Sequence, residues 1–153
     1  MSHAMALAAI ALFAVLNLIT GPAMAVGIDD GSSDSASAGD YDQAKAAIDA
    51  GDFAAALPIL TAITKAEPQN ADAWNLLGFS SRKTGDLETA AVAYATALTI
   101  NPDHLGALEY QGEMYLEMGK PDEARTNLEA LQSLCGTCDE ALDLQQAIAD
   151  AGV

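Results

Sequence analysis

Ala-rich segments with helical apolar spacing fill the chain from Tyr41 onward, and short breaks separate them at regular places. The breaks are, in chain order, Gly51-Asp52, Glu67-Pro68, Thr84-Gly85, Asn101-Pro102 and Gly119-Lys120-Pro121. Because glycine and proline end helices, the breaks delimit six helices. Gly51, Gly85 and Gly119 recur every 34 residues, and Pro68 and Pro102 are separated by the same interval. A constant interval of this length predicts helix pairs that stack on one another.

Three repeats are predicted, over residues 37–70, 71–104 and 105–138, and a capping helix follows over 138–151. Eight residues fall at the positions where the helices should pack: Trp74, Leu77, Gly78, Ala90, Tyr94, Ala97, Gly112 and Ala124. This order of residues resembles the pattern of the tetratricopeptide repeat family. That pattern has a bulky residue and Leu-Gly on the first helix, and later Ala, an aromatic residue, Ala and Pro. The resemblance covers residues 40–134. It implies an all-α fold, a right-handed α-solenoid of three helix pairs plus a C-terminal capping helix, within a domain over 40–151.

The glycines and caps also have a physical reading. We expect Gly78 and Gly112 to lie where the two helices of a pair approach most closely, since no larger side chain fits there. The break glycines should end the first helices in the left-handed conformation. Asp52 and Asp86 are candidate N-caps for the second helices. Thr137, three residues before Glu140, predicts a capping box at the start of the last helix.

The first 25 residues have the pattern of a cleavable signal peptide. An apolar run over 5–19 precedes Gly21-Pro22, and Ala23-Met24-Ala25 has the form of a cleavage site. The run is short for a membrane span, although an uncleaved anchor is the alternative. Residues 26–39 are rich in Ser, Gly and Asp and predict a flexible acidic linker. We therefore expect a periplasmic or secreted bacterial protein that is not inserted in the membrane after cleavage.

The chain is strongly acidic, with 22 Asp and Glu against 6 Lys and Arg and a net charge of −16. Such an excess disfavours nucleic acid and anionic membranes, because their phosphates would be repelled. Either solubility or a basic ligand would account for it.

Cys135 and Cys138 form the one cluster of residues in the sequence that suggests chemical reactivity. They predict a disulfide that joins the last repeat helix to the capping helix, and small exported proteins of the resembled family suggest the same bridge. A redox-active pair is the second interpretation, because Cys138 begins a helix whose dipole favours thiolate. A metal site is the third, but two thiolates need two further ligands and His104 stands alone. No cofactor or metal is expected.

Ligand contacts are expected on the first helix of each pair, at the offsets that the resemblance implies. The candidates are Asn75, Leu76, Phe79, Arg82, Lys83, Glu109, Tyr110 and Glu113. The alternative interpretation of Phe79 and Tyr110 is core packing between repeats. The alternative interpretation of Arg82 and Lys83 is compensation of the dipole at the end of their helix. The family's clamp for a C-terminal carboxylate needs basic residues and Asn where this chain has mostly Asp, Glu and Leu.

The sequence predicts an interaction module of the cell envelope that binds a peptide or protein on its concave face. With a single histidine after residue 25, most hydrolytic mechanisms lack a base, so no enzyme is expected. The alternative is a periplasmic thiol-disulfide exchange factor that uses Cys135 and Cys138. Self-association through an exposed end of the stack is a further possibility, because the first repeat has weak packing positions.

Overall fold

The computed structural model describes residues 38–153. They form seven helices: α1 (Ala38–Asp49), α2 (Phe53–Ala66), α3 (Ala71–Lys83), α4 (Leu87–Ile100), α5 (Leu105–Glu117), α6 (Pro121–Cys135) and α7 (Asp139–Asp150). The first six pack as three consecutive pairs, and α7 packs on both α5 and α6. The predicted all-helical fold of three pairs and a capping helix is confirmed.

The signal peptide and nearly all of the linker predicted for the N-terminus lie outside the described residues, and α1 begins in the last part of the predicted linker. Among residues 38–153, no helix has the length and apolar character that crossing a membrane requires.

Glycine ends the first helix of each pair, as predicted. Gly51, Gly85 and Gly119 have φ angles of 75°, 87° and 69°, in the left-handed region that other residues seldom adopt. The residues after the first two glycines cap the next helices. Asp52 accepts a hydrogen bond from the Ala55 amide at 3.1 Å, and Asp86 accepts one from Thr89 at 3.0 Å. Each of these short loops therefore provides a hydrogen-bond partner for a backbone amide at the start of the next helix, which would otherwise lack one.

The capping box predicted at Thr137 is wrong. The N-cap of α7 is Cys138, and its side chain makes no capping hydrogen bond. Cys138 is joined by a disulfide to Cys135, the last residue of α6. The pair connects the ends of the two helices, and Thr137 therefore lies in the loop between them, one residue too early to cap α7.

Close approach between α3 and α4 explains Gly78. A Cβ atom at this position would lie 2.7 Å from ring carbons of Tyr94, which is fully buried. Gly112 differs from the prediction, because its closest neighbour is not on α6, its partner in the pair. A Cβ there would lie 2.6 Å from Leu144, a buried residue of α7. Gly112 thus allows the capping helix to approach α5.

The other predicted packing residues also lie at helix contacts. Leu77, Ala90, Ala97 and Ala124 are buried. Trp74 is half-buried against the core between the first two pairs, and its indole Nε1 donates to the Pro68 carbonyl at 3.0 Å. This bond holds the break between the first two repeats against α3.

Candidate binding surface

Three aromatic rings form a continuous row across the repeats. Phe53 at the start of α2 meets Phe79 of α3 edge to face, with ring centroids 5.6 Å apart. Phe79 in turn lies 4.7 Å from Tyr110 of α5. All three residues are half-buried, so the rings pack on one another and still reach the surface. We call Phe53, Phe79 and Tyr110 the aromatic row.

Phe79 and Tyr110 were predicted as ligand contacts, and the structure brings them together. Phe53 was missed, because the family offsets confined the search to the first helices of the pairs. The signal that would have found it is an aromatic residue directly after the N-cap Asp52. Phe53 follows the turn between α1 and α2, and from there its ring reaches Phe79 in the next repeat.

Arg82 of α3 fastens the aromatic row to α5. Its guanidinium lies 5.7 Å from the ring centroid of Phe79 and 5.9 Å from that of Tyr110. Its Nη1 donates to Glu117 at 2.7 Å, and its Nη2 donates to Glu113. With its side chain only 5% exposed, Arg82 joins two repeats instead of projecting freely into solvent.

The surroundings of Arg82 keep it charged. Burial by itself lowers its pKa, but Glu113 and Glu117 outweigh that effect, and the pKa of Arg82 is raised overall. The buried Tyr94 hydroxyl lies near the guanidinium, and burial raises the pKa of Tyr94. The Tyr94 hydroxyl and Arg82 Nε make no hydrogen bond of good geometry with a described residue, although the hydroxyl and the guanidinium are close enough to affect each other's pKa. Arg82 and Glu113 are therefore already paired, which makes them supports of the surface more than free ligand contacts.

Lys83 is the exposed cation beside the aromatic row. Its ammonium lies 5.4 Å from the Phe79 ring centroid, within the range of a cation–π contact. Leu76, on the same helix, is half-buried and packs against the core of the first two pairs. These two predicted contacts differ in access, since Lys83 is open to solvent and Leu76 only in part.

Asn75 and its neighbours fix the start of α5 against α3. Asn75 is 7% exposed, and its Oδ1 atom has no hydrogen-bond partner among the described residues. A Cβ on Gly106 would lie 3.3 Å from Asn75 Nδ2, so glycine allows this close approach. His104 accepts from the Ala107 amide through Nδ1, and its Nε2 donates to Asp72 at 3.0 Å. His104 thus caps α5, a role that the sequence analysis missed.

Carboxylates gather where α5 meets α7. Glu109 is only 7% exposed and forms no hydrogen bond or ion pair with another described residue. Its electrostatic neighbours are Glu113 on its own helix and Asp143 and Glu140 on α7. We call these four residues the acidic corner. Burial, followed by these three carboxylates in that order, raises the pKa of Glu109 to about 8, while Arg82 opposes the rise.

The acidic corner does not have the geometry of a metal site. Within residues 38–153 no group of three or more His, Cys, Asp or Glu side chains is arranged to hold a metal ion. What the surface offers is aromatic faces, an exposed ammonium and carboxylates. These groups are suited to non-covalent binding of another polypeptide.

Comparison with known proteins gives a consistent result. Two models described as tetratricopeptide repeat match residues 41–104 and 107–134. No curated protein matches the chain. Among solved structures, MamA from Desulfovibrio magneticus RS-1, residues 41 to the end, is similar with a TM-score of 0.60 and 23% identity, over 62% of this chain and 54% of that one. This chain therefore spans about half the length of that structure.

Two further structures carry peptides. The first tetratricopeptide domain of Spaghetti (RPAP3), bound to an HSP90 peptide, is 18% identical with a TM-score of 0.65, over 72% of this chain and 89% of that one. The second such domain of human RPAP3, in complex with an HSP70 peptide, is also 18% identical, with a TM-score of 0.66 over 74% and 92% of the two chains. At these identities the likeness concerns the fold. With both models matching along the repeats, this chain belongs to the tetratricopeptide repeat family.

Proposed function

We propose that this protein is an interaction module, not an enzyme, and that it binds a peptide or protein segment along the first helices of its pairs. The observation that carries the proposal is the aromatic row, which crosses three consecutive repeats at half-burial. Aromatic side chains that keep an accessible face are the usual anchors of protein interfaces. The two RPAP3 domains of similar fold were solved with bound peptides, which supports the same use here.

The aromatic row is held in place before any partner arrives. Phe79 packs against both other rings, and Arg82 lies over two of them while paired with Glu113 and Glu117. A side chain that is already ordered loses little conformational entropy on binding. The row therefore favours recognition of apolar side chains by a preformed surface.

The partner we propose differs in charge from the peptides of the RPAP3 complexes. Those peptides are SRMEEVD and SGPTIEEVD, and both end in an acidic stretch. Here the net charge is −16, and the acidic corner lies on α5 and α7. An acidic peptide end would be repelled, so a segment with apolar anchors and basic charge fits better.

The site of action that we propose is the bacterial cell envelope. This part of the proposal is supported by the sequence of residues 1–25, with its apolar run and Ala23-Met24-Ala25 motif. N-terminal sequencing of protein recovered from the native envelope tests it. We expect the chain to begin near Val26, and a chain that retains residues 1–25 would contradict cleavage.

Selection from a random peptide library tests the binding function. We expect the wild-type protein to enrich peptides with apolar side chains, and a Phe79→Ala, Tyr110→Ala double variant to lose them. Val92→Ala is the matched control. Val92 is 62% exposed and lies on α4, the second helix of its pair, which is not part of the proposed binding surface. Circular dichroism must show that each variant is folded. Undiminished capture by the folded double variant would contradict the proposal.

Thiol-disulfide exchange is the second candidate. It is favoured by the place of Cys138, whose sulfur would lie at the N-terminus of α7 after reduction of its bond to Cys135. Helix amides at such a position stabilise thiolate and increase reactivity. Equilibration with glutathione distinguishes the two functions. Ready reduction and reoxidation would favour exchange, whereas resistance to glutathione indicates a structural bridge.

A further inference from the structure

We propose that the acidic corner receives a basic side chain, a lysine or an arginine, from the bound segment, and that Glu109 is its principal partner. This inference rests on the proposed function and gives the chemistry of the partner at one end of the surface. The acidic corner comprises Glu109 and Glu113 of α5 and Glu140 and Asp143 of α7.

Glu109 is buried without a partner among residues 38–153. It is 7% exposed, yet it accepts no hydrogen bond and forms no ion pair with another described residue. Burying an unpaired carboxyl group costs free energy, more so when it is charged. A group from outside these residues that donates hydrogen bonds and carries positive charge would remove that cost.

The cation nearest to Glu109 among its described neighbours, Arg82, is already paired with other carboxylates. Arg82 of α3 faces Glu109 electrostatically, but its two terminal nitrogens donate to Glu113 and Glu117. The remaining charged neighbours of Glu109 are carboxylates, one from its own helix and Asp143 and Glu140 from α7. Negative charge is therefore in excess at this place, which complements a single incoming cation.

Glu109 also lies near the aromatic row. Glu109 precedes Tyr110 in the chain, and its charge helps to raise the pKa of that phenol after the larger effect of burial. A segment whose apolar side chains rest on the aromatic row would thus carry its next residues past the acidic corner. The Tyr110 ring adds a face to which a cation is attracted.

Protonation links this binding to pH. Because the pKa of Glu109 is about 8, the free protein holds this group largely as the neutral acid at pH 7. An incoming ammonium or guanidinium favours the carboxylate, so binding should release up to about one proton. As the pH is raised towards 8, the affinity for the basic segment should increase by up to about tenfold for each pH unit. Above pH 8 the affinity should no longer change. The carboxylates of Glu113, Glu140 and Asp143 and the cation of Arg82 are the charged groups that face this titration.

The experiment uses a peptide selected from a random library on the wild-type protein. The peptide is synthesised with its basic residue intact and with norleucine in its place, and both forms are titrated calorimetrically at about pH 7 and pH 8.5. We expect norleucine to weaken binding at least about tenfold, and Glu109→Gln to abolish most of that difference and the pH dependence. Glu129→Gln, which removes an exposed carboxylate from α6, is the control that should change neither.

Each result decides between the two proposals or against both. Selection that returns no binder contradicts the proposed function and this inference with it. Binders that need Phe79 and Tyr110, but tolerate norleucine and Glu109→Gln equally, overturn the inference and leave the proposed function standing. Asp143→Asn, at an exposed position of α7, is the second variant. It should weaken binding of the basic peptide and not of the norleucine peptide, and equal effects on both would count against the inference.

Discussion

Replacing Glu109 with glutamine should change how the stability of the fold depends on pH. A glutamate in the unfolded chain loses its proton near pH 4.5, whereas burial keeps Glu109 protonated in the folded protein up to about pH 8. Between these two values the unfolded state binds fewer protons than the folded state. The free energy of unfolding of the wild type therefore falls as the pH rises through this window.

The magnitude follows from the two pKa values. At about 1.4 kcal/mol for each pH unit, a rise from 4.5 to about 8 sets an upper limit of about 5 kcal/mol on the stability lost at the upper end, and solvent screening of the carboxylate reduces the loss below that limit. Glutamine cannot ionise, so the variant lacks this loss. Its amide is buried without a partner and costs about 1–3 kcal/mol, but that cost is the same at every pH. The slope with pH, more than the stability at any one pH, distinguishes the variant.

Urea denaturation followed by circular dichroism between about pH 5 and pH 9 measures this slope. The wild type should lose stability relative to Glu109→Gln up to about pH 8, and the two curves should run parallel above it. Glu129→Gln removes the same charge from an exposed position and should follow the wild type throughout. Parallel curves for wild type and Glu109→Gln across the whole range would refute the buried, unpaired state of Glu109.

Three other substitutions test packing, also by urea denaturation. Gly78→Leu should destabilise the fold by about 1–3 kcal/mol or more, because a Cβ lies 2.7 Å from the buried Tyr94 ring; unchanged stability would contradict this contact. Gly85→Ala should cost about 1–2 kcal/mol, because its φ is 87°; a stabilised variant would argue against that conformation. Arg82→Ala should cost about 1–3 kcal/mol, because it removes a buried guanidinium that is paired with the partly exposed carboxylates of Glu113 and Glu117; a cost below about 0.5 kcal/mol would contradict that pairing.

The sequence was sufficient for the features that depend on neighbouring residues. Gly51, Gly85 and Gly119 end helices by the conformation of a single residue. Asp52 and Asp86 cap the helices that follow them by accepting from backbone amides three residues further on. Such effects are local, so their interval along the chain predicts them. The repeat interval then predicts the helix pairs, which are confirmed.

Features that depend on distant contacts could not be read in this way. Gly112 occupies the same repeat position as Gly78, yet its tight contact is with Leu144, because only the last pair is covered by α7. The capping box at Thr137 was wrong because α7 begins at Asp139, one residue later than a cap at Thr137 requires. Both differences arise at the C-terminal end, where the repeat pattern no longer applies.

The candidate surface shows the same division. The offsets in the repeat placed Phe79 and Tyr110 on neighbouring first helices, where the rings are in contact. They did not indicate that Arg82 is buried against both rings and paired with carboxylates of the next repeat. Nor did they indicate the burial of Glu109, which follows from the packing of α7 on α5. Which charges remain free for a partner therefore emerges only from the structure.

Photo-crosslinking in cells that produce the full chain tests the central claim most directly. A photoreactive amino acid replaces Lys83, which is exposed beside Phe79 on α3, or Val92, which is exposed on the second helix α4. If a partner segment lies along the first helices, the probe at Lys83 should form a specific adduct, and that adduct should disappear in the Phe79→Ala, Tyr110→Ala background. Adducts from Val92 alone, or equal adducts from both positions, would contradict binding on this surface.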